Sequence, residues 1–96
     1  MKTRHDIAGA LKEVRKARGL TQEDFSIISS RTYISMLERG LKSPTLDKID
    51  DLAGLMKVHP MTLLALAYAS SRKTRDIDDL CKVVRGEISK IADGQK

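Results

Sequence analysis

Ninety-six residues suffice for one hydrophobic core and little beyond it, so a multidomain enzyme is excluded. Aromatic residues are few, Phe25, Tyr33 and Tyr68 alone, and the core therefore has to come from Leu, Ile, Val, Met and Ala, which suits packed helices better than sheets. A formal charge of +5 favours polyanionic partners without demanding one, and the single cysteine, Cys81, rules out an internal disulfide.

The apolar residues Ile7, Leu11 and Val14 and the 17/18 position recur every three or four residues, with Lys12, Glu13, Arg15 and Lys16 opposite. This spacing predicts an amphipathic helix over 6–18. Gly19 suits the position just past its end, where a left-handed backbone costs glycine little, and the cationic last turn complements the helix dipole. Thr21 is a good N-cap for a second helix, with Glu23 and Asp24 in its first turn and Phe25 and Ile28 on its buried side. Ser29 and Ser30 interrupt the pattern; Ile34 and Leu37 resume it up to the terminator Gly40. Two short helices are expected to flank a tight turn.

Beyond a polar connector at 41–44, Thr45 or Ser43 can cap a fourth helix whose Leu46, Ile49, Leu52, Ala53 and Met56 form the strongest apolar stripe of the chain. Pro60 reads as the first residue of a fifth helix, with His59 as an unusual cap and Met61, Leu63, Leu64 and Ala67 as buried surface. A basic stretch at 70–75 separates this core from a last periodic segment. Ile77, Leu80, Cys81, Val84, Ile88 and Ile91 predict a sixth helix over 76–92, weakened at Gly86 by ~1 kcal/mol relative to alanine.

The placement of charge says more than its sum. Residues 1–43 carry nine Lys or Arg against five acids, residues 44–71 two against three, and residues 72–96 seven against five, so the basic excess lies mainly in the first half. With no signal-peptide core and no apolar run of ~18 residues, a reducing, cytoplasmic setting and no membrane role are expected. His5 and His59 have no Cys, Asp or Glu at metal-ligand spacing, and Asp47, Asp50, Asp51, Asp78 and Asp79 read as solvated helix faces. No metal, cofactor or catalytic centre is expected, and Cys81 on an apolar stripe reads as a buried small hydrophobe ahead of a redox sensor.

Two short helices joined by a tight turn, the second polar along one side, are what is needed to put side chains into a DNA major groove, which is ~12 Å wide and admits one helix. Ser30, Arg31, Thr32, Tyr33, Ser35 and Met36 would then face base edges. The motifs Leu20-Thr21-Gln22-Glu23-Asp24, Arg31-Thr32-Tyr33-Ile34-Ser35, Leu37-Glu38-Arg39-Gly40 and Ser43-Pro44-Thr45-Leu46 carry a resemblance, over residues 6–68, to the Cro and XRE-type, lambda-repressor-like helix-turn-helix regulators.

The resemblance implies an all-α fold: a five-helix DNA-binding domain, placed here at 1–69, to which 70–96 adds a basic linker and an amphipathic helix. It also implies a phosphate contact at Gln22, base contacts at Arg31, Thr32 and Met36, backbone or thymine-methyl contacts at Tyr33 and Ser35, phosphate grips at Arg39 and Lys42, and Glu38 orienting Arg39. Blander roles stand beside these: a solvated Arg31, surface polars at Thr32 and Ser35, and packing for Tyr33 and Met36. The interval from Thr21 to Arg31 is about two residues shorter than is usual in that family and lacks the glycine of the turn. Losing two residues inside an α-helix would rotate everything after it by ~200°, so the shortening is expected at the turn.

The expected function is that of a sequence-specific regulator of double-stranded DNA, a repressor by default. The apolar stripe of the sixth helix needs cover, from its own monomer or, preferably, from its twin in a homodimer. An antitoxin-like or other interaction module, whose last helix binds a protein partner, is the alternative.

Overall fold

The computed structural model describes residues 5–94 and contains five α-helices and one 3-10 segment. In chain order these are α1 (Ile7–Ala17), the 3-10 segment Gln22–Phe25, α2 (Arg31–Glu38), α3 (Leu46–Met56), α4 (Pro60–Tyr68) and α5 (Thr74–Gly94). No strand occurs among the described residues. The outer ends of the two segments expected from the sequence, residues 1–4 and 95–96, lie outside the described residues.

The helix ends follow local chemistry. The Asp6 carboxylate accepts a hydrogen bond from the Gly9 N–H at 2.8 Å and starts α1, while Gly19, at φ +69°, lets the chain turn back at its end. Thr45 Oγ1 accepts from the Lys48 N–H at 3.1 Å to start α3. Pro60 opens α4 without wasting a donor, and His59 Nδ1 accepts from the Met61 N–H at 3.0 Å, so this uncommon cap does the work of a serine. Lys57 ends α3 in the left-handed region, at φ 60°, a role that glycine usually fills.

Among the described residues thirteen side chains form the core: Ile7, Ala10, Leu11 and Val14 from α1, Phe25, Ile34 and Leu37 from the 3-10 segment and α2, and Ile49, Leu52, Ala53, Met56, Leu63 and Ala67 from α3 and α4. α1 packs on α2 and α4, and α4 also carries α3 and α5. α1 and α4 are tied further by the Asp6 N–H donating to the Ala67 carbonyl at 2.8 Å.

Several sequence expectations need correction. The second helix is not α-helical but one 3-10 turn, anchored by fully buried Phe25, so the missing residues are taken from that helix as well as from the turn. A 3-10 turn is economical here: the Asp24 carboxylate accepts from the Thr21 N–H at 2.7 Å and from Thr21 Oγ1 at 3.1 Å, closing it on itself. Ile28 is only half-buried, and Leu46 and Met61, at the edges of their stripes, are 72% and 53% exposed. Cys81 is exposed, since α5 begins at Thr74 and buries no residue along its length. The basic stretch before α5 is no free spacer. Arg72 donates to Glu13 Oε1 at 2.6 Å and to the Leu66 carbonyl at 2.5 Å, which pins the base of α5 to α1 and α4.

A left-handed non-glycine residue costs ~1 kcal/mol that glycine would not incur, partly offset by glycine's greater freedom when unfolded. Lys57→Gly is therefore expected to stabilise the fold by about 0.5 kcal/mol or more, read as a raised urea midpoint at unchanged slope; a lowered midpoint would contradict it.

Candidate nucleic-acid interface

α2 has eight residues, two turns, and is too short to persist without tertiary support. Its start is set by Ser30, whose extended backbone and Oγ, accepting from the Tyr33 N–H at 3.1 Å, make it the N-cap. Ile34 and Leu37 enter the core. The opposite side presents Arg31 and Thr32 in the first turn, half-buried Ser35 and Met36 in the middle and exposed Arg39 at the C-cap; exposed Lys42 follows in the connector after Gly40. Cations thus stand at both ends of a largely polar face about 12 Å long.

The orientation of α2 is held from behind. Arg15 of α1 meets Glu38, the last residue of α2, through two parallel hydrogen bonds, Nε to Oε2 at 2.6 Å and Nη2 to Oε1 at 2.9 Å, and its Nη1 donates to the Leu20 carbonyl at 2.8 Å. The two side chains are 11% and 4% exposed. Hydrogen bonding to Glu38 raises the Arg15 pKa above the ordinary guanidinium value, with desolvation opposing and the carboxylate's charge adding to the rise. Gln22 Nε2 also donates to Glu38 Oε1, at 3.2 Å. The expectation that Glu38 orients Arg39 is therefore corrected: Glu38 faces inward to Arg15 and Gln22. Gln22, expected at a phosphate, is half-buried with its amide engaged on the carboxylate.

The single 3-10 turn also sets Glu23 opposite the start of α2, where its Oε1 lies 3.0 Å from Arg31 Nη1. Both side chains are about two-thirds exposed, 67% and 71%, so the pair orients the guanidinium but holds it weakly. Arg15, Thr21, Gln22, Glu23 and Arg31 line a shallow cleft of about 330 Å³ there. On the other flank, Lys48 of α3 donates to the Ile28 carbonyl at 3.0 Å and places its ammonium 5.6 Å from the centre of the half-buried Tyr33 ring. The turn that lacks glycine is thereby closed by a lysine from another helix.

Of the residues expected to contact DNA, the structure places Arg31, Thr32, Arg39 and Lys42 in solvent, Tyr33, Ser35 and Met36 at the border of the core, and Ser30 at a cap. Sequence reasoning missed Arg15, Glu23 and Lys48. Arg15 and Glu38 do sit beside Val14 and Leu37, at the margins of two apolar stripes, and that adjacency was the available signal for a half-sheltered ion pair. Among the described residues, no cluster of three or more His, Cys, Asp or Glu side chains could hold a metal, and no helix is long and apolar enough to cross a membrane.

Removing one partner of a sheltered ion pair strands the other, at a cost of ~3 kcal/mol. Glu38→Ala is expected to lower stability by about that amount in urea unfolding, whereas the combined Arg15→Met, Glu38→Leu variant should recover most of it. A single variant as stable as the parent would show that the pair is not sheltered in solution.

Comparisons with known proteins bear on this geometry. Residues 11–63 match the family described as helix-turn-helix, HTH_3. The chain is also similar to the restriction-modification controller protein C.AhdI from Aeromonas hydrophila, whose crystal structure shares 32% sequence identity over 59% of this chain and 89% of that one, with a TM-score of 0.56. A search of curated proteins found no significant match. The match runs from the second turn of α1 to the first turn of α4, takes in the 3-10 segment and all of α2, and leaves α5 outside. With that span and that likeness together, the chain belongs to the Cro/C1-type helix-turn-helix family of DNA-binding transcription regulators.

Proposed function

We propose that the protein is a repressor that reads operator DNA with α2 in the major groove and acts in the cytoplasm as a homodimer, its two reading helices meeting half-sites ~34 Å apart. The observation that carries this reading is the exposed side of α2, with Arg31 and Thr32 at its N-terminal end and Arg39 and Lys42 just past its C-terminal end. Arg31 has the fork geometry for guanine O6 and N7, Thr32 and Met36 approach neighbouring bases, and Tyr33 and Ser35 reach the sugar-phosphate wall or a thymine methyl. The backbone amides after the Ser30 cap meet the phosphate at the helix entrance, and Arg39 and Lys42 grip the strand beyond. The likeness to a restriction-modification controller supports a controller's role for this chain as well.

A second reading, an antitoxin-like module whose last helix binds another protein, draws on the exposure of α5, of which no residue is buried.

Selection of binding sites from random duplex DNA, followed by titration at two salt concentrations, tests the first reading. A short palindrome whose affinity falls steeply with salt is the expected result, and a chain that enriches nothing would overturn it. On the selected site Arg31→Ala should cost ~1 to 3 kcal/mol and little on random DNA. Lys42→Ala should weaken both alike and lower the salt slope by ~1.

A further inference from the structure

Along α5, Ile77, Cys81, Val84, Ile88 and Ile91 recur at alternating spacings of four and three, the heptad seam of a coiled coil. Among the described residues, the only half-buried position of this seam is Ile77, in the first turn, where α5 leans on α4 and Asp76 and Leu80 beside it are half-buried as well. Further along, Val84, Ile88 and Ile91 are 40%, 60% and 61% exposed. Beside the seam an open apolar groove of about 640 Å³ runs between the two helices, with Met61, Leu64 and Tyr68 of α4 on one side and Cys81, Val84 and Ile88 of α5 on the other.

We propose that this groove receives α5 of a second copy of the chain, the two α5 helices packing antiparallel about a two-fold axis. The inference deepens the homodimer of the proposed function and rests on it. The surface is self-complementary along its α5 wall: Cys81, Val84 and Ile88, which line the groove, are also residues that a second α5 would insert, so one symmetric contact covers both seams at once.

Charge selects the direction. Asp78 and Arg85 flank the seam on the same side, one heptad apart, and neither makes an ion pair among the described residues. When Cys81 packs against the partner's Val84, and Ile77 against the partner's Ile88, antiparallel geometry sets Asp78 beside the partner's Arg85, and Arg85 beside the partner's Asp78. A parallel pair would bring Arg85 alongside the partner's Leu80 and leave it unanswered, with Asp78 meeting only the partner's Lys73 at the very start of the helix. A different protein would have to supply a base and an acid at this same interval, which the chain already carries itself.

The test is a charge exchange in the full chain, read by sedimentation. Asp78→Arg sets arginine against arginine, and Arg85→Asp sets aspartate against aspartate, each at two symmetric contacts. Each single variant is expected to weaken self-association roughly ten- to thirtyfold. The double variant, and an equimolar mixture of the two single variants, should return to within about threefold of the parent, because both restore acid against base. Single variants that associate like the parent, or a mixture that fails to recover, would overturn the antiparallel pairing. A parent that stays monomeric at tens of micromolar would overturn it too and assign the groove to another protein. Binding of each variant to a single half-site duplex separates the two readings. Retained half-site binding with no exchange pattern strikes this inference alone; an intact exchange pattern without sequence preference strikes the proposed function alone.

Discussion

Arg15 and Glu38 meet where α1 crosses α2, almost withdrawn from water, and the pose of the reading helix depends on that meeting. α2 enters the core through only two side chains, Ile34 and Leu37, and a rod held at two points along one edge can still rock about the line that joins them. A planar guanidinium bonded to both carboxylate oxygens resists that rocking, because its two hydrogen bonds hold only while the planes stay aligned. Withdrawing both charges from water is costly. The Leu20 carbonyl and the Gln22 amide offset part of that cost by occupying further donor and acceptor sites. What the pair contributes is a single orientation of α2 more than net stability.

The same constraint explains how a helix-turn-helix works with its first helix reduced to one 3-10 turn. A full second helix would brace α2 along its length. Here Phe25 provides one deep anchor, the Thr21 and Asp24 side chains close the turn, and Lys48 reaches from α3 to hold the Ile28 carbonyl. The shortening has a chemical consequence at the reading end: Gln22 is drawn to Glu38, and Glu23 comes to stand against Arg31. The carboxylate gives the exposed Arg31 guanidinium a preferred orientation at the start of α2.

α5 follows different physics. It projects from the rest of the fold, so that the whole measures 47 Å along its longest axis against 28 and 27 Å across, and it contributes nothing to the core. Once nucleated, a 21-residue helix propagates at little cost per residue, so it needs a firm base and little else. Arg72 supplies that base through Glu13, Asp6 and the Leu66 carbonyl, and Ser71 Oγ donates to the Asp76 carboxylate in the first turn. A long helix with an apolar seam and a fixed root is shaped to meet another surface.

The sequence by itself determined the elements whose causes are local. Stripes with a period near 3.6 mark α1, α3 and α5, and Asp6, Ser30, Thr45 and His59 cap their helices as their side chains allow. Gly19 turns the chain where no side chain has to fit. The family resemblance carried by the motifs around α2 was legible in the same way. Tertiary structure decided whatever depends on residues distant in the chain. Residues 22–28 have the composition of an α-helix but form one 3-10 turn at 22–25 followed by an irregular turn, because the span between Phe25 in the core and the start of α2 is too short for more. Glu38 turned inward to Arg15, 23 residues away, because the crossing of α1 and α2 sheltered both charges. Cys81, apolar by pattern, stands in solvent because burial is a property of what packs opposite, and periodicity along one helix carries no record of that.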